Sequence, residues 1–302
     1  MRFDAGLFPW TGMTEMPGLR NIRSILLVAK AGNSAAEALC AKVEVWLTNR
    51  GVRTRALLHP SDEVLDAARD FGDMILVLGG DGTMVSIARK TMGTGIPVAG
   101  INFGRVGFLT ELDSACWSPV LAEAIDNGLM IEKRLGLSFS LVREKETILE
   151  GKVVNDVVVT RGKVARLVNL HLGVNASRFT TLRSDGLIIS TPTGASGYAC
   201  SAGGPLVLPS LNAYVVAAIC PFLSSFPPLV LCPETQFSVM VGESAPDLYL
   251  TLDGQEAHPL NEGDMLRVWG VPGALSIADF GLKSYFDRLL SAGFVQEAKT
   301  RH

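Results

Sequence analysis

Paired cysteines, clustered basic charge and long hydrophobic runs are all missing from this 302-residue chain. Five cysteines, an odd number with no Cys-x-x-Cys pair, fit neither a disulfide framework nor a zinc site, and a reducing cytoplasm is the expected home. Four histidines, His59, His171, His258 and His302, show no metal-ligand spacing. Only 19% of residues are charged, the net charge is −3, and Lys and Arg are spread along the chain. A nucleic-acid partner is therefore not expected, because its footprint is a basic patch. Neither G-x-x-x-x-G-K-[ST] nor G-x-G-x-x-G occurs, so the P-loop and the standard dinucleotide fingerprint are absent. No internal repeat is found.

Two stretches imitate export or membrane signals. Ser24-Ile25-Leu26-Leu27-Val28-Ala29 follows Arg20 and Arg23, but the run is too short for a signal peptide and Lys30 closes it. It reads as a first buried strand. No charged residue stands between Asp185 and Glu234. A spanning helix needs about 20 continuous apolar residues, whereas Pro192, Pro205, Pro209, Pro221, Pro227 and Pro228 interrupt this stretch. Buried strands and loops are expected, in a soluble chain without a membrane partner.

What is present is a globular composition: 48% apolar residues with 31 Gly and 15 Pro. At about 150 residues per domain the length predicts two domains. Residues 1–130 alternate strand and helix signals. Ile22–Ala29, Val52–Leu58, Met74–Leu78 and Ile96–Ile101 read as strands. Ser34-x-x-Glu37 reads as a capping box opening a helix that stops at Gly51. Asp62–Asp70, Met84–Met92 and Val120–Asn127 are the other predicted helices. That rhythm implies a doubly wound parallel α/β sheet. From about Ile131 the pattern changes to short alternating strands, including Leu137/Phe139/Leu141, Val168–Val174, Tyr249–Leu252, Leu266–Trp269 and Leu275–Ala278. An antiparallel β-rich domain over 131–280 follows, then a C-terminal helix in 281–302 returning to the first domain. Residues 1–20 read as a loose leader, with Met13 or Met16 as alternative starts.

The sharpest local feature is Gly79-Gly80-Asp81-Gly82-Thr83, between the Met74–Leu78 strand and a helix. Open α/β sheets bind ligands at the carboxyl ends of their strands. Glycines there let backbone N–H groups approach a phosphate, Thr83 is placed to cap the helix, and a helix N-terminus favours anions. A carboxylate at such a place repels a phosphate unless a cation intervenes or it must take a proton. Both uses suit phosphoryl transfer. A plain glycine-rich turn with Asp as turn former is the alternative.

Asn155-Asp156 interrupts the apolar run Val153–Val159. Two adjacent polar residues in a buried strand are unfavourable without partners, and reaching one ligand together requires a strand end or bulge. Ribose hydroxyls are one set of partners; an Asn-Asp turn is the other reading. Arg183-Ser184-Asp185-Gly186 leads through Thr191-Pro192-Thr193-Gly194 and Ala195–Ser201 to Gly203-Gly204-Pro205. Small hydroxyl residues between glycines offer a surface for a flat base, with Tyr198 as an aromatic wall, or else a glycine-rich connection.

Taken in order, these segments resemble the NAD kinase family from about residue 22 to 290. The resemblance adds Gly104-x-x-Gly107-Phe108-Leu109-Thr110-Glu111 and Asp253-Gly254-Gln255. It implies that Asp81 accepts the proton as NAD receives a phosphoryl group on the 2′-hydroxyl of its adenosine ribose, the donor being ATP or polyphosphate with Mg²⁺ or another divalent metal. It implies a phosphate loop of Gly79, Gly80, Gly82 and Thr83. The NAD-binding positions it implies are Asp81, Gly82, Asn155, Asp156, Arg166, Arg183, Asp185, Ser196, Gly197, Tyr198, Ala199, Cys200, Ser201 and Gln255. No protein side chain is assigned to a metal. A homo-oligomer, dimer or tetramer, is also implied. Ala195-Ser196-Gly197-Tyr198 departs from the family's Ser-Thr-Ala-Tyr. Phe222 and Pro227 replace its usual His and Arg.

Two other readings compete. Diacylglycerol kinases and phosphofructokinases carry similar Gly-Gly-Asp-Gly loops, although they lack the Thr-Pro-Thr-Gly and Asn-Asp segments. A non-catalytic NADP(H)-binding sensor would keep the fold, against which Asp81 speaks. Arg161 and Lys163 are expected on a solvated face, His171 in a structural role, and Cys200 without a His partner is no nucleophile.

Overall fold

The computed structural model describes residues 20–30, 32–58, 63–103, 107–162, 167–223, 226–243 and 247–295. Residues 1–19 of the expected leader, His59, Gly104, Lys163, Arg166 and His302 lie outside them, while Arg20, read as the leader's last residue, is paired with Leu129.

The first part alternates as the sequence predicts: β1 (Ser24–Ala29), α1 (Ser34–Thr48), β2 (Arg53–Leu57), α2 (Glu63–Asp70), β3 (Met74–Leu78), α3 (Asp81–Lys90), β4 (Val98–Asn102), a two-residue β5 (Leu112–Asp113) and α4 (Trp117–Asn127). The strands pair in parallel in the order β2-β1-β3-β4. Every residue of β1 and β3 is buried, because helices cover both faces. Ile25 and Leu27 pack with α1 and α4, while Leu26 and Val28 pack with α2 and α3. The capping box at Ser34 is not formed. Asn33 caps α1 instead, its side chain accepting from the N–H groups of Ala35 and Ala36.

The second part is antiparallel: β6 (Met130–Arg143), β7 (Glu146–Val153), β8 (Asp156–Arg161), β9 (Val168–Val174), β10 (Ser177–Ser184), β11 (Gly186–Ser190), β12 (Tyr214–Ile219), β13 (Leu229–Leu231), β14 (Phe237–Val241), β15 (Leu248–Leu252), β16 (Glu256–Leu260) and β17 (Met265–Asp279). The two short strands expected at Leu266–Trp269 and Leu275–Ala278 are one long strand. Its pairing with β6 shifts register between Val271 and Leu275. β17 also lies parallel to β4 through Ile277 and Val98, so the parallel sheet continues into the antiparallel one. A second sheet runs β13-β12-β11-β8-β15-β16. Val157, Val159, Leu187, Ile189 and Leu250 from one sheet meet Leu137, Phe139, Leu170, Val239 and Leu266 from the other in one apolar core.

The terminal helix α5 (Tyr285–Ser291) starts with a true capping box, Ser284 with Asp287. It returns to the α/β part, where Arg288 Nη1 donates to Glu111 Oε1 at 2.6 Å. Among the described residues no helix is long and apolar enough to cross a membrane.

Candidate functional site

The loop after β3 places its groups by helix geometry. Gly80 is the N-cap of α3, with no side-chain cap bond. Thr83 therefore lies inside the first turn rather than capping the helix, its N–H bonded to the Gly80 carbonyl at 3.0 Å. Asp81 is the first helical residue. The early N–H groups of a helix lack intrahelical partners and carry partial positive charge, so the loop end of α3 is suited to an anion. Gly79 cannot carry a side chain, because a Cβ would lie 2.9 Å from Thr83 Oγ1.

Asp81 is held by the segment that follows β4. Its Oδ1 accepts from Leu109 N at 3.4 Å, Thr110 N at 3.1 Å and Thr110 Oγ1 at 2.9 Å, and its Oδ2 accepts from Phe108 N at 2.8 Å. The buried Thr110 hydroxyl in turn accepts from Asn102 Nδ2 at 3.1 Å and Gly107 N at 3.2 Å. Gly107 sits so close that a Cβ there would lie 2.0 Å from Asp81 Oδ1. Glycine is needed at 107 for the carboxylate to be where it is.

Across a cavity of about 460 Å³ stands the end of the second sheet. Asp156 opens β8, and the period of two puts Asp156, Val158 and Thr160 on the cavity face while Val157 and Val159 enter the core. Asn155 precedes the strand, so both polar residues reach the cavity at a strand end. Thr191 Oγ1 donates to the Val154 carbonyl at 2.7 Å and accepts from Gly194 N at 3.1 Å. A Cβ on Gly194 would lie 2.5 Å from the Asn155 carbonyl oxygen. The Ala195–Ala199 turn, broken at Gly197, carries Ser196, Gly197 and Tyr198 to the cavity. Among the described residues, two buried polar atoms there have no partner: Asn155 Oδ1 and Thr193 Oγ1. Such atoms are rare in proteins and call for an explanation.

The Asp253–Glu256 turn closes the third side. Asp253 accepts from the N–H groups of Val154 at 3.1 Å, Asn155 at 2.6 Å and Asp156 at 3.2 Å. Gln255 Nε2 donates to the Gly82 carbonyl at 2.7 Å, tying this turn to the phosphate loop. Burial, then the nearby Asp253 carboxylate, pushes the Asp156 carboxyl up to about 7.

Not every candidate residue meets here. Cys200 and Ser201 continue the turn without lining the cavity, and Ala199 is buried beneath it against Val158 and Ile188. Arg183, near the end of β10, and Asp185, just before β11, are not among the lining residues; Asp185 is about 17 Å of strand from Ser190 at ~3.3 Å per residue, while its neighbour Gly186 pairs with the lining residue Thr160. Arg161, expected on a solvated face, forms a two-pronged ion pair with Asp185, at 2.7 and 3.0 Å. That pairing holds the Asp185 carboxyl below its ordinary range. His171 is structural as expected, its Nδ1 3.0 Å from Thr181 Oγ1 on the neighbouring strand.

Comparison with known proteins decides the family. Residues 24–128 match the ATP-NAD kinase N-terminal domain and residues 154–279 the ATP-NAD kinase C-terminal domain. The chain is 46% identical over 278 residues to an NAD kinase of Nitratidesulfovibrio vulgaris (strain DP4), covering 91% of this chain and 93% of that one. It belongs to the NAD kinase family. An NAD kinase from Archaeoglobus fulgidus, solved in complex with ATP, is similar at 26% identity and TM-score 0.71, covering 90% of this chain and 100% of the other. Yeast NADH kinase complexed with NADH shares the fold, with TM-score 0.78 and 23% identity over 93% of this chain and 91% of the other.

Within this NAD kinase fold, reasoning from sequence missed several cavity residues. Thr160 and Thr251 line the site unforeseen, and Thr193 and Asp253, quoted only as parts of motifs, line it too. Thr160 and Thr251 were legible as cavity-facing only once β8 and β15 were known to be neighbours. Phe222, which stands where the family usually has His, lies under the Arg183 guanidinium, 5.6 Å from its ring centre.

Proposed function

We propose that this chain transfers the terminal phosphoryl group of ATP to the 2′-hydroxyl of the adenosine ribose of NAD, making NADP. One observation carries the reading: Asp81, at the N-terminus of the phosphate-loop helix, faces across one cavity two buried polar atoms, Asn155 Oδ1 and Thr193 Oγ1, that lack a partner. The protein donors on Asp81 fall mainly on Oδ1. Oδ2, with a single donor, keeps a lone pair for a substrate hydroxyl. As the ribose oxygen bonds to phosphorus, its proton passes to Asp81 and the bond to the departing ADP breaks. Gly79, Gly80, Gly82 and Thr83 receive the donor phosphates. Asn155 and Asp156 receive the ribose, and Ser196, Gly197 and Tyr198 the base.

Among the described residues no group of three or more His, Cys, Asp or Glu side chains gathers to hold a metal. We place Mg²⁺ on the donor's phosphates, its usual station in kinases. Gln255 is spent on Gly82 and acts by fixing the loop. Arg183 and Asp185 do not line their own cavity, although Asp185 adjoins Gly186, the register partner of the lining residue Thr160. Exposed Phe222 and Leu223 lie beside them, Phe222 N donating to the Arg183 carbonyl at 2.8 Å, and apolar surface of this kind marks contact sites. We therefore place Arg183 and Asp185 at the NAD site of a second copy in a homo-oligomer. The α/β part (1–130) carries the phosphate loop, the β-rich part (131–280) the dinucleotide walls, and the cytoplasm, where the five free cysteines stay reduced, is the compartment.

The test is direct. Protein, NAD, ATP and Mg²⁺ are mixed and NADP is detected with an NADP-specific dehydrogenase, with polyphosphate replacing ATP in a second arm. NADP formation with ATP supports the reading. A folded protein that binds NADP but never forms it would be a sensor, and the reading would be wrong.

A further inference from the structure

The cavity contains two carboxyl groups on neighbouring backbone, and the protein treats them differently. Asp253 has a side chain fully hidden from solvent. Three backbone N–H groups, of Val154, Asn155 and Asp156, point at it, and Arg89 Nε on α3 lies 4.0 Å from its Oδ2. A carboxylate with several donors and a cation is favoured in its charged form. Asp156 has the opposite surroundings. Among the described residues no group donates to its carboxyl, and its backbone is tied to Asp253 in both directions, Asp156 N to Asp253 Oδ1 and Asp253 N to the Asp156 carbonyl at 3.0 Å.

We propose that Asp156 meets the ribose as a neutral carboxylic acid, donating a hydrogen bond, with Asp253 the ionised member of the pair and Arg89 the residue that keeps the charge there. This rests on the reading of the cavity as the NAD site. Two like charges on adjacent backbone, Asp253 buried and Asp156 half-buried at the cavity wall, are disfavoured together, so one of them holds a proton. Burial pushes the Asp253 carboxyl up, opposed by its three N–H donors and by Arg89. Nothing opposes the rise at Asp156, which reaches about 7. The other charges facing the pair are Glu256, ion-paired with Arg89, and Asp81 across the cavity. Both are negative and favour the neutral form. Arg89 is thus a positioning residue, acting on NAD through the charge it fixes on Asp253.

The consequence is a pH dependence with a defined sign. Asp156 is protonated in the folded protein up to about 7 but ionised in the unfolded chain above about 4. The folded state therefore binds the extra proton, and stability falls as pH rises from about 4 to 7. NAD affinity falls above 7, where the donor is lost.

Calorimetric NAD binding without ATP, between pH 6 and 9, tests this on wild type, Asp156→Asn, Arg89→Gln and Arg89→Lys, with thermal midpoints alongside. Wild type is expected to lose affinity approaching tenfold per pH unit above its midpoint, as for one required proton. Asp156→Asn keeps a donor, so its affinity should be flat and within a few-fold of wild type at pH 6, and its midpoint gain over wild type should grow from pH 5 to 8. Arg89→Gln should move the transition upward by roughly one unit, and Arg89→Lys should restore it. A flat wild-type profile, with Asp156→Asn weakened at every pH, would show an ionised acceptor and overturn the proposal alone. Absence of NAD binding at every pH would overturn the cavity assignment and the proposal with it.

Discussion

The two walls of the cavity differ in how their polar atoms are met. On the α/β wall the Asp81 carboxylate is surrounded by donors from Phe108, Leu109 and Thr110, and Thr110 is fixed in turn by Asn102. On the β wall Asn155 Oδ1 and Thr193 Oγ1 have no partner among the described residues. A group that must react in one geometry is held by the protein before substrate arrives. Groups that recognise a ligand can leave their hydrogen bonds for it to complete. Substitutions on the first wall should lower turnover, and those on the second should weaken NAD binding.

The largest effect belongs to Asp81. Asp81→Asn keeps the shape and the acceptor for Thr110, but removes the base. Turnover should fall about 10²–10⁴-fold, the usual worth of a placed acid–base group, while NAD affinity stays near wild type and the folded protein loses some thermal midpoint, because the amide nitrogen cannot accept from Phe108 N as Oδ2 does. Turnover within a few-fold of wild type would show that both walls only bind.

Gly107→Ala comes next and probes the same wall by displacing the Asp81 carboxylate rather than replacing it. The new Cβ would need the space of Asp81 Oδ1, so the carboxylate must shift. A displacement of about 1 Å can cost about 10²-fold in rate, and the loss should appear in kcat with KM for NAD little changed. Steady-state kinetics separate the two. A rise in KM alone would place Gly107 on the recognition side.

The α/β wall was largely legible in the sequence and the β wall only in part, for a physical reason. Met74–Leu78, the glycines and Asp81 form one continuous strand, turn and helix, so local periodicity predicts where the carboxylate emerges. What holds Asp81 comes from Phe108–Thr110, beyond another helix and strand, and only the family resemblance drew attention to that segment. On the β wall each residue comes from a different strand. Asp156 and Asp253 approach because β8 pairs with β15, and no local pattern states that pairing. The same non-local geometry separates Asp185 from Thr193, although eight residues apart in sequence they had read as one segment. Caps were misread by one residue or more: Asn33 rather than Ser34, and Gly80 rather than Thr83, act at the helix starts.

Thr193→Val and Asn155→Ala test the recognition wall, with smaller effects. Each removes a polar atom that only the ligand satisfies, so KM for NAD should rise by the equivalent of about 1–3 kcal/mol while kcat changes less. Thr193→Val has a second signature. It replaces a buried, unpaired hydroxyl by a methyl of the same shape, so the thermal midpoint of the unliganded protein should hold or rise. Weaker binding in a protein at least as stable is the mark of a group kept for the ligand. A lower midpoint with unchanged KM would make Thr193 a structural residue.

Asp185→Asn gives the smallest change in stability and asks whether the comparison extends beyond one chain. The Arg161–Asp185 pair is partly exposed, and pairs of this kind contribute little, so the midpoint should fall by about 2 °C or less at pH 7. The sign with pH is fixed. The folded Asp185 carboxyl lies below its ordinary range because Arg161 donates to it, so the pair's contribution is present above the unfolded pKa of about 4. It is lost as pH falls through the lower folded value, and variant and wild type should converge in acid. If Asp185 only steadies its own chain, KM for NAD stays constant. If it completes the cavity of a second copy, KM rises and wild-type activity per chain falls on dilution below the assembly concentration. Sedimentation at the same concentrations measures assembly independently. An unchanged KM in a chain that sediments as a monomer would confine recognition to the residues around Asn155 and Thr193.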